Sequence, residues 1–329
     1  MKSNSKARQF LSDNGIWAIL IVLIVLVTIL QPSFMSVNNW LTLLSGEAVK
    51  GIMAFGVMFC ILSKGIDLTP GASAAMIGCI VASLVQVQDN ANRLFGVGGF
   101  GPIPAPLAFL IGAVIGAIIG AGYGWLIAYT KIPAFIATLG AQLMCRAGAK
   151  IYTNRPVSKL SNSFRFLGGG KIGNFPVIII VFIIMYIITA FLLTQTRWGA
   201  SVYAVGGNDQ AARVAGINVE KTLVLVYTWS GFCAALGGML LAGRAGSSDP
   251  ALTGLNYELD AIAAATVGGT SHTGGIARIS GVLAGILIMG VINNGLVMLK
   301  VDDNMTNIVK GAIIIGSVIL DMRKNAKRA

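Results

Sequence analysis

The feature that most constrains this chain is its long apolar runs, such as "VIIIVFIIMYIITAFLL" (Val177–Leu193) and "TLVLVYTWSGFCAALGGMLLAG" (Thr222–Gly243). A helix needs about 20 mostly apolar residues to cross the roughly 30 Å hydrocarbon core of a bilayer. Lipid offers no partners to backbone N–H and C=O groups, so such a crossing must satisfy them internally. Ten candidate spans follow, over about 14–31, 42–63, 70–88, 105–129, 133–152, 175–194, 222–243, 257–270, 276–298 and 303–321. The eighth is short enough to be a partial crossing. With 55% hydrophobic and 11% charged residues, against about 25% charged in a soluble domain, a water-soluble fold is excluded. The expected class is all-α: a polytopic integral membrane bundle of about ten helices, one domain over 1–329.

The first span follows Lys2, Lys6 and Arg8 and resembles a signal peptide, but no A-x-A-like site follows Leu30. An uncleaved anchor is the better reading. Ten spans put both termini on one side. The cationic tails 1–13 and 322–329, the latter with Arg323, Lys324, Lys327 and Arg328, assign that side to the cytoplasm by the positive-inside tendency. Loops 195–221 and 271–278 then also lie inside. The segment Lys150–Lys171 disagrees, because it carries Lys150, Arg155, Lys159, Arg165 and Lys171 without an acid yet falls outside by parity. These five cations are expected to dock an acidic surface of an extracytoplasmic partner, since opposite charges steer such encounters. The net charge of +12 reflects such ends; no basic cluster with interleaved aromatics suggests nucleic acid.

Several motifs lose their chemistry in context. "GVGGFG" (Gly96–Gly101) matches a dinucleotide fingerprint but lies between spans and runs into "PIPAP", without the strand and helix start it needs. "GGGKI" (168–172) has Ile where a P-loop has its hydroxyl. Cys60, Cys79, Cys145 and Cys233 all fall in spans with no metal-like spacing and read as small buried residues. His272 reads as an exposed turn histidine. Gly112, Gly116, Gly120 and Gly124 recur every four residues and form a small-residue face for close helix packing.

Polar residues within spans are costly and few: Glu47, Asp67, Glu258, Asp260, Asn293, Asn294 and Lys310. Glu258 and Asp260 open the short eighth span, where helix capping is the first reading and lining a pathway mouth, with Tyr257, the second. Asn293 and Asn294 need partners in a helix interface or a hydrated cavity. No chain of buried carboxylates or histidines is expected, which argues against a proton-coupled pump.

A permease without a P-loop or proton relay needs an energised partner, and "NDQAARVAGI" (Asn208–Ile217) offers it a handle. Asn208 or Asp209 would cap a short helix, Ala211 and Ala212 would give a small face to enter a groove, and Gly216 would end it. This segment resembles the E-A-A-x-x-x-G coupling loop of binding-protein-dependent ABC importer permeases, with Gln210 in place of the acid. "GIDLTPG" (65–71), "IPAFIATLG" (132–140), "AVGGNDQAARVAGI" (204–217), "YELDAIAAATVGGTSHTGG" (257–275) and "NNGL" (293–296) resemble, in order, the branched-chain-amino-acid/ribose-type permease family in its monosaccharide branch. "QDNANRLFG" (88–96) is most similar to the galactose/methyl-galactoside subgroup.

The resemblance implies an ABC importer permease fold with two loosely similar halves joined near 195–221, in a bacterial cytoplasmic membrane. It implies a homodimer with one pathway and an extracytoplasmic sugar-binding protein. A soluble ATPase with two nucleotide-binding domains would carry the ATP and magnesium, none being bound by this chain. Carried over by position, Asp209, Gln210, Ala211, Ala212 and Gly216 would couple to the ATPase. The rival readings are an ion-coupled secondary sugar transporter and a membrane enzyme, for which no catalytic cluster is visible.

Overall fold

The computed structural model describes residues 3–95 and 100–326. The glycines of "GVGGFG" from 96 to 99 and the last three residues, Lys327 and Arg328 among them, lie outside the described residues. Thirteen helices occur among them, and each of the ten expected spans holds one. They are α1 (Ser3–Leu30), α2 (Val37–Leu62), α3 (Pro70–Leu84), α4 (Ala105–Thr130), α5 (Ala134–Tyr152), α7 (Val177–Gln195), α10 (Val219–Ala245), α11 (Tyr257–Val267), α12 (Ile279–Met298) and α13 (Asp303–Ala326). The connections add α6 (Asn162–Gly169), α8 (Arg197–Gly207), α9 (Asp209–Val214) and two two-stranded pairs, β1 (Val157–Ser158) with β4 (Ser247–Ser248) and β2 (Lys171–Ile172) with β3 (Phe175–Pro176). Five helices, α2, α4, α7, α10 and α12, are long and apolar enough to cross a membrane on their own.

Helix boundaries follow local chemistry. Pro70 sits in the first turn of α3 and Pro106 in that of α4, where a missing N–H costs nothing. Ser36 caps α2, Asn218 caps α10, and Gly246 ends α10 at φ +70°. α2 is the hub. Its residues from Gly51 to Leu62 are all buried, because α10, α11, α12 and α7 surround it, as expected of a helix apolar all round.

The glycine stripe does what its spacing predicts. α4 and α10 form the most intimate helix pair. A methyl at Gly116 would overlap Ala235 and the Gly231 carbonyl, and one at Gly120 would overlap the backbone of Tyr227. Overpacking of this kind costs about 1–3 kcal/mol where side chains can yield, and here backbone is in the way. Gly116→Leu should therefore lower the folded, detergent-stable fraction severalfold in size-exclusion profiles, whereas Gly122→Leu, with open space around it, should not.

Two spans are not continuous helices. α3 has 15 residues and α11 has 11, about 22 and 16 Å at 1.5 Å per residue, both short of a full crossing. The non-helical segment 63–69 precedes the first, and the irregular segment 246–256 precedes the second. The two half-helices meet start to start: Gly71 in the first turn of α3 lies against the Gly254 carbonyl and the Glu258 carboxyl. Irregular backbone at membrane depth is tolerated only when protein satisfies it. Here Thr69 N–H bonds Asp67 (2.9 Å), Thr138 donates to the Ile66 carbonyl (3.0 Å), and Arg146 donates to the Thr253 carbonyl (2.8 Å).

The ends of the bundle are consistent with ten crossings. At one end Gly275 N–H bonds the Leu62 carbonyl (2.9 Å), Lys64 reaches the Gly207 carbonyl (3.2 Å), and Tyr203 bonds Ala277 O (2.8 Å). At the other, Val87 N–H bonds Lys159 O and β1 pairs with β4. α7 runs from the second end to the first, so the 150–171 segment and α9 lie on opposite faces of the bundle.

Candidate functional sites

The α8–α9 connection is a compact projection. The Asn208 side chain, rather than Asp209, caps α9 by accepting from Ala211 N–H (3.0 Å). Gly216 follows at φ +82°, a left-handed conformation open to glycine at no steric cost, and its N–H closes onto the Arg213 carbonyl (3.0 Å). Arg213 pairs with Glu220 (2.6 Å), and that hydrogen bond holds the Glu220 carboxyl below its usual range.

The expected groove-entering face is turned around. Ala212 is buried, packed with Val205 and Val219, and anchors α9 to its own chain. Asp209, Gln210, Ala211, Arg213 and Val214 are what α9 offers outward, Val214 being 91% exposed. Adjacent helical residues point about 100° apart, so Ala211 and Ala212 do not share a face, and the apolar neighbours decide which turns inward.

Within the bundle, the polar residues gather into two groups. In the first, Lys50 pairs with Glu47 (3.2 Å) and with Asp260 (3.0 Å), and Lys310 pairs with Asp260 (3.2 Å). Asn293 donates to Glu47 (3.1 Å), and the Tyr257 ring lies 5.5 Å from the Lys50 ammonium. Two carboxylates and two ammonium groups thus tie α2, α11, α12 and α13 together with formal charges that cancel. What the sequence did not reveal is that these residues form a linked set in which every acid has a lysine. Glu258 and Asp260 both lie in the first turn of α11, where a helix N-terminus favours them, although the N-cap position itself is held by Asn256. Asp260 faces the two lysines, and Glu258, buried, accepts from Gln142 (3.0 Å) with its other oxygen unpartnered. Asn294 forms a reciprocal amide pair with Asn39 (3.0 Å in each direction), locking α12 to α2.

In the second group, Asp67 is fully buried and accepts four hydrogen bonds. They come from Thr69 N–H (2.9 Å) and the hydroxyls of Thr69 (2.7 Å), Tyr123 (3.0 Å) and Ser230 (2.6 Å). The carboxylate pins the non-helical segment before α3 to α4 and α10. Sequence reasoning missed Lys50, Gln142 and Arg146. The i, i+3 spacing of Glu47 and Lys50 was a legible sign of a pair, but nothing local marks Gln142 or Arg146, whose partners lie 104 to 116 residues away.

The ion set makes a testable claim about packing. Lys50→Met alone should destabilise strongly, on the order of 3 kcal/mol, by leaving Glu47 without its ammonium partner and Asp260 with Lys310 alone, whereas replacing the whole set by apolar residues should be far milder. Thermal unfolding in detergent of Lys50→Met, Asp260→Leu and the Glu47→Gln/Lys50→Met/Asp260→Leu/Lys310→Met variant checks this. Additive losses would contradict it.

The basic segment is exposed at all five cations. Lys150 ends α5, Arg155 and Lys159 flank β1, Arg165 lies on α6 and Lys171 opens β2. His272 is half-buried rather than exposed and bonds Thr266 at the end of α11 (2.8 Å). The four cysteines are buried and free.

A helical bundle with two broken spans meeting at their starts and a neutral ion set between its helices is the architecture of a polytopic membrane protein, and the family it matches makes it a permease subunit of a transport system. Residues 39–318 match the family described as branched-chain amino acid transport system / permease component, and the chain belongs to that family. It is 38% identical to the galactose/methyl galactoside import permease protein MglC of Escherichia coli K12, over 97% of this chain and 96% of that protein. It is 40% identical to the ribose import permease protein RbsC of Bacillus subtilis 168, over 93% and 92%. The Haemophilus influenzae MglC is 36% identical over 98% of each chain. No solved structure matches.

Proposed function

We propose that this chain forms the translocation pathway of an ATP-driven monosaccharide importer, carrying galactose, methyl galactoside or a ribose-like sugar. Two copies build one pathway in a bacterial cytoplasmic membrane. α9 and both termini face the cytoplasm, where an ATPase with two nucleotide-binding domains holds ATP and magnesium. A sugar-binding protein delivers substrate at the opposite end. The observation that carries this reading is α9: a six-residue helix capped at both ends and anchored by Ala212, with an exposed rim between two spans. The names of the relatives, galactose and ribose import permeases, support the substrate class.

α9 is joined through α8 and α10 to the bundle, so force on it reaches the packed spans. Gln210, Ala211 and Val214 make the contact, while Ala212 and Gly216 hold its shape. Tyr257, Glu258, Asp260, Asn293 and Asn294 line or brace the pathway beside the exposed Leu143, Met144, Leu255 and Leu259, an apolar face suited to a second copy. Transport selectivity resides in the soluble receptor, so the pathway needs only weak polar steps.

Reconstitution in liposomes with the partner ATPase and binding protein tests the whole reading. ATP-dependent uptake of labelled galactose or ribose, resistant to a protonophore and requiring the binding protein, is expected. Uptake by this chain alone, driven by an ion gradient, would establish the secondary-transporter reading instead. Changing Lys150, Arg155, Lys159, Arg165 and Lys171 to Gln should weaken binding-protein affinity about tenfold or more at low salt, and the difference should shrink as salt rises. An affinity unchanged at low salt would remove docking from this segment.

A further inference from the structure

The Arg213–Glu220 ion pair has no role in the function proposed above, although it sits at the root of α9. Arg213 lies in the last turn of α9 and Glu220 in the first turn of α10, so the pair closes across the turn that joins the two helices. The distance from Arg213 Nη2 to Glu220 Oε1 is 2.6 Å. Besides Arg213, Lys131 favours the ionised Glu220 carboxyl, and Lys131 is the left-handed residue that ends α4. Glu220 thereby links α9 to the α4–α10 pair, the most intimate in the bundle.

α9 is too short to hold its own orientation. Six residues make fewer than two turns, and its apolar anchorage is one side chain, Ala212, packed with Val205 and Val219. A single small contact fixes where a helix sits but not how far it rolls about its axis. The backbone bonds from Gly216 N–H to Arg213 and from Ile217 N–H to Ala212 (3.0 Å each) close the end of α9. They do so through a glycine at φ +82° with open space around it, and glycine is the most permissive backbone unit. Arg213 points about 100° round the helix from Ala212, so its bond to Glu220 is a second, off-axis tether. Two tethers on different faces remove the free roll, and Gln210, Ala211 and Val214 are presented at one angle.

We infer that Arg213 and Glu220 are positioning residues for energy coupling: their bond sets the roll of α9, so that a push on its exposed rim moves α10 instead of turning α9 about Ala212. This rests on the coupling role proposed for α9. The two side chains are 43 and 23% exposed, and an exposed ion pair adds little to folding stability. Its effect is on orientation. A pair of this kind shifts an equilibrium between orientations by at most about fivefold, which sets the size of the change to look for.

Full-length protein reconstituted with the partner ATPase and binding protein tests the pair. In Glu220→Gln and in Arg213→Gln, ATP hydrolysed per sugar transported should rise about two- to fivefold, with the thermal midpoint unchanged. The exchanged pair Arg213→Glu/Glu220→Arg should recover most of the loss, which a direct contact of either residue with the ATPase would not allow. Lys221→Gln, at an exposed cation next in sequence, should match the unaltered protein. A measurement without any partner accompanies these. Nitroxide labels at Val214→Cys and Tyr129→Cys, positions 91 and 55% exposed, should give a distance distribution that broadens in Glu220→Gln and sharpens again in the exchanged pair. Unchanged ATP per sugar, an unbroadened distribution in Glu220→Gln, or a failed rescue by the exchanged pair would overturn the inference. A fall in thermal midpoint large enough to account for the lost transport would reduce the pair to a structural role. If the unaltered protein shows no ATP-driven uptake, the coupling role of α9 falls first, and the positioning role with it.

Discussion

Gly216→Pro is expected to abolish ATP-driven uptake, by tenfold or more, while the protein still inserts and the partner ATPase still hydrolyses ATP. The residue sits at φ +82°, and proline is locked near −65°. Its N–H, which closes α9 onto the Arg213 carbonyl at 3.0 Å, would also vanish. Both effects act on a turn with open space around it, so the damage stays local and the bundle does not misfold. Gly216→Ala, strained but able to keep the N–H, should lose less. Ala211→Asp tests the same contact from outside by adding charge and bulk to the exposed face, whereas Ala212→Asp should unseat α9 from Val205 and Val219 and lower stability as well. Measuring ATP hydrolysed per sugar transported separates uncoupling from loss of the complex. Normal transport by Gly216→Pro would remove α9 from the coupling role.

The second large effect is on folding. Asp67→Ala strands the Tyr123 and Ser230 hydroxyls and the Thr69 N–H in a fully buried site, leaving the Thr69 hydroxyl to Tyr123, and hydrogen bonds to a charged group are worth about 1.5–3 kcal/mol each. The expected loss is on the order of 3–5 kcal/mol, enough to empty the folded fraction of many domains, seen as a collapse of monodisperse yield and of thermal midpoint. Asp67→Asn keeps the size and one oxygen acceptor, and should fall between wild type and Asp67→Ala. Ser230→Ala, which removes one of four donors while leaving the others in place, should cost only a fraction of that. If Asp67→Ala is as stable as Ser230→Ala, the carboxylate does not hold the non-helical segment before α3.

The two variants fail for opposite physical reasons, and the contrast explains why the chain is built as it is. α9 is stabilised by its own caps and one buried alanine, so it can respond to a partner without loosening the membrane bundle. Asp67 lies where α4, α10 and the non-helical segment before α3 converge, and its bonds hold a break that would otherwise expose unpaired amides to lipid.

Legible in the sequence alone were a helix in each of the ten expected segments, the close α4–α10 approach and the turn chemistry around α9. Each of these rests on short-range patterns: apolar runs about 20 residues long, glycines at every fourth position, and an Asn and a Gly bracketing six residues. The sequence also placed the 150–171 cations opposite α9, because counting crossings needs no tertiary information. That residues 63–69 are not helical and that α3 and α11 meet at their starts came from packing across the bundle. Whether a polar residue at membrane depth caps its own helix or pairs across the bundle depends on distant partners, and Asp260 took Lys50 and Lys310, 210 and 50 positions away. The same holds for Ala211 and Ala212, identical in chemistry and adjacent in sequence. One became surface and the other core because Val205 and Val219 fold over only one side of a helix that turns 100° per residue.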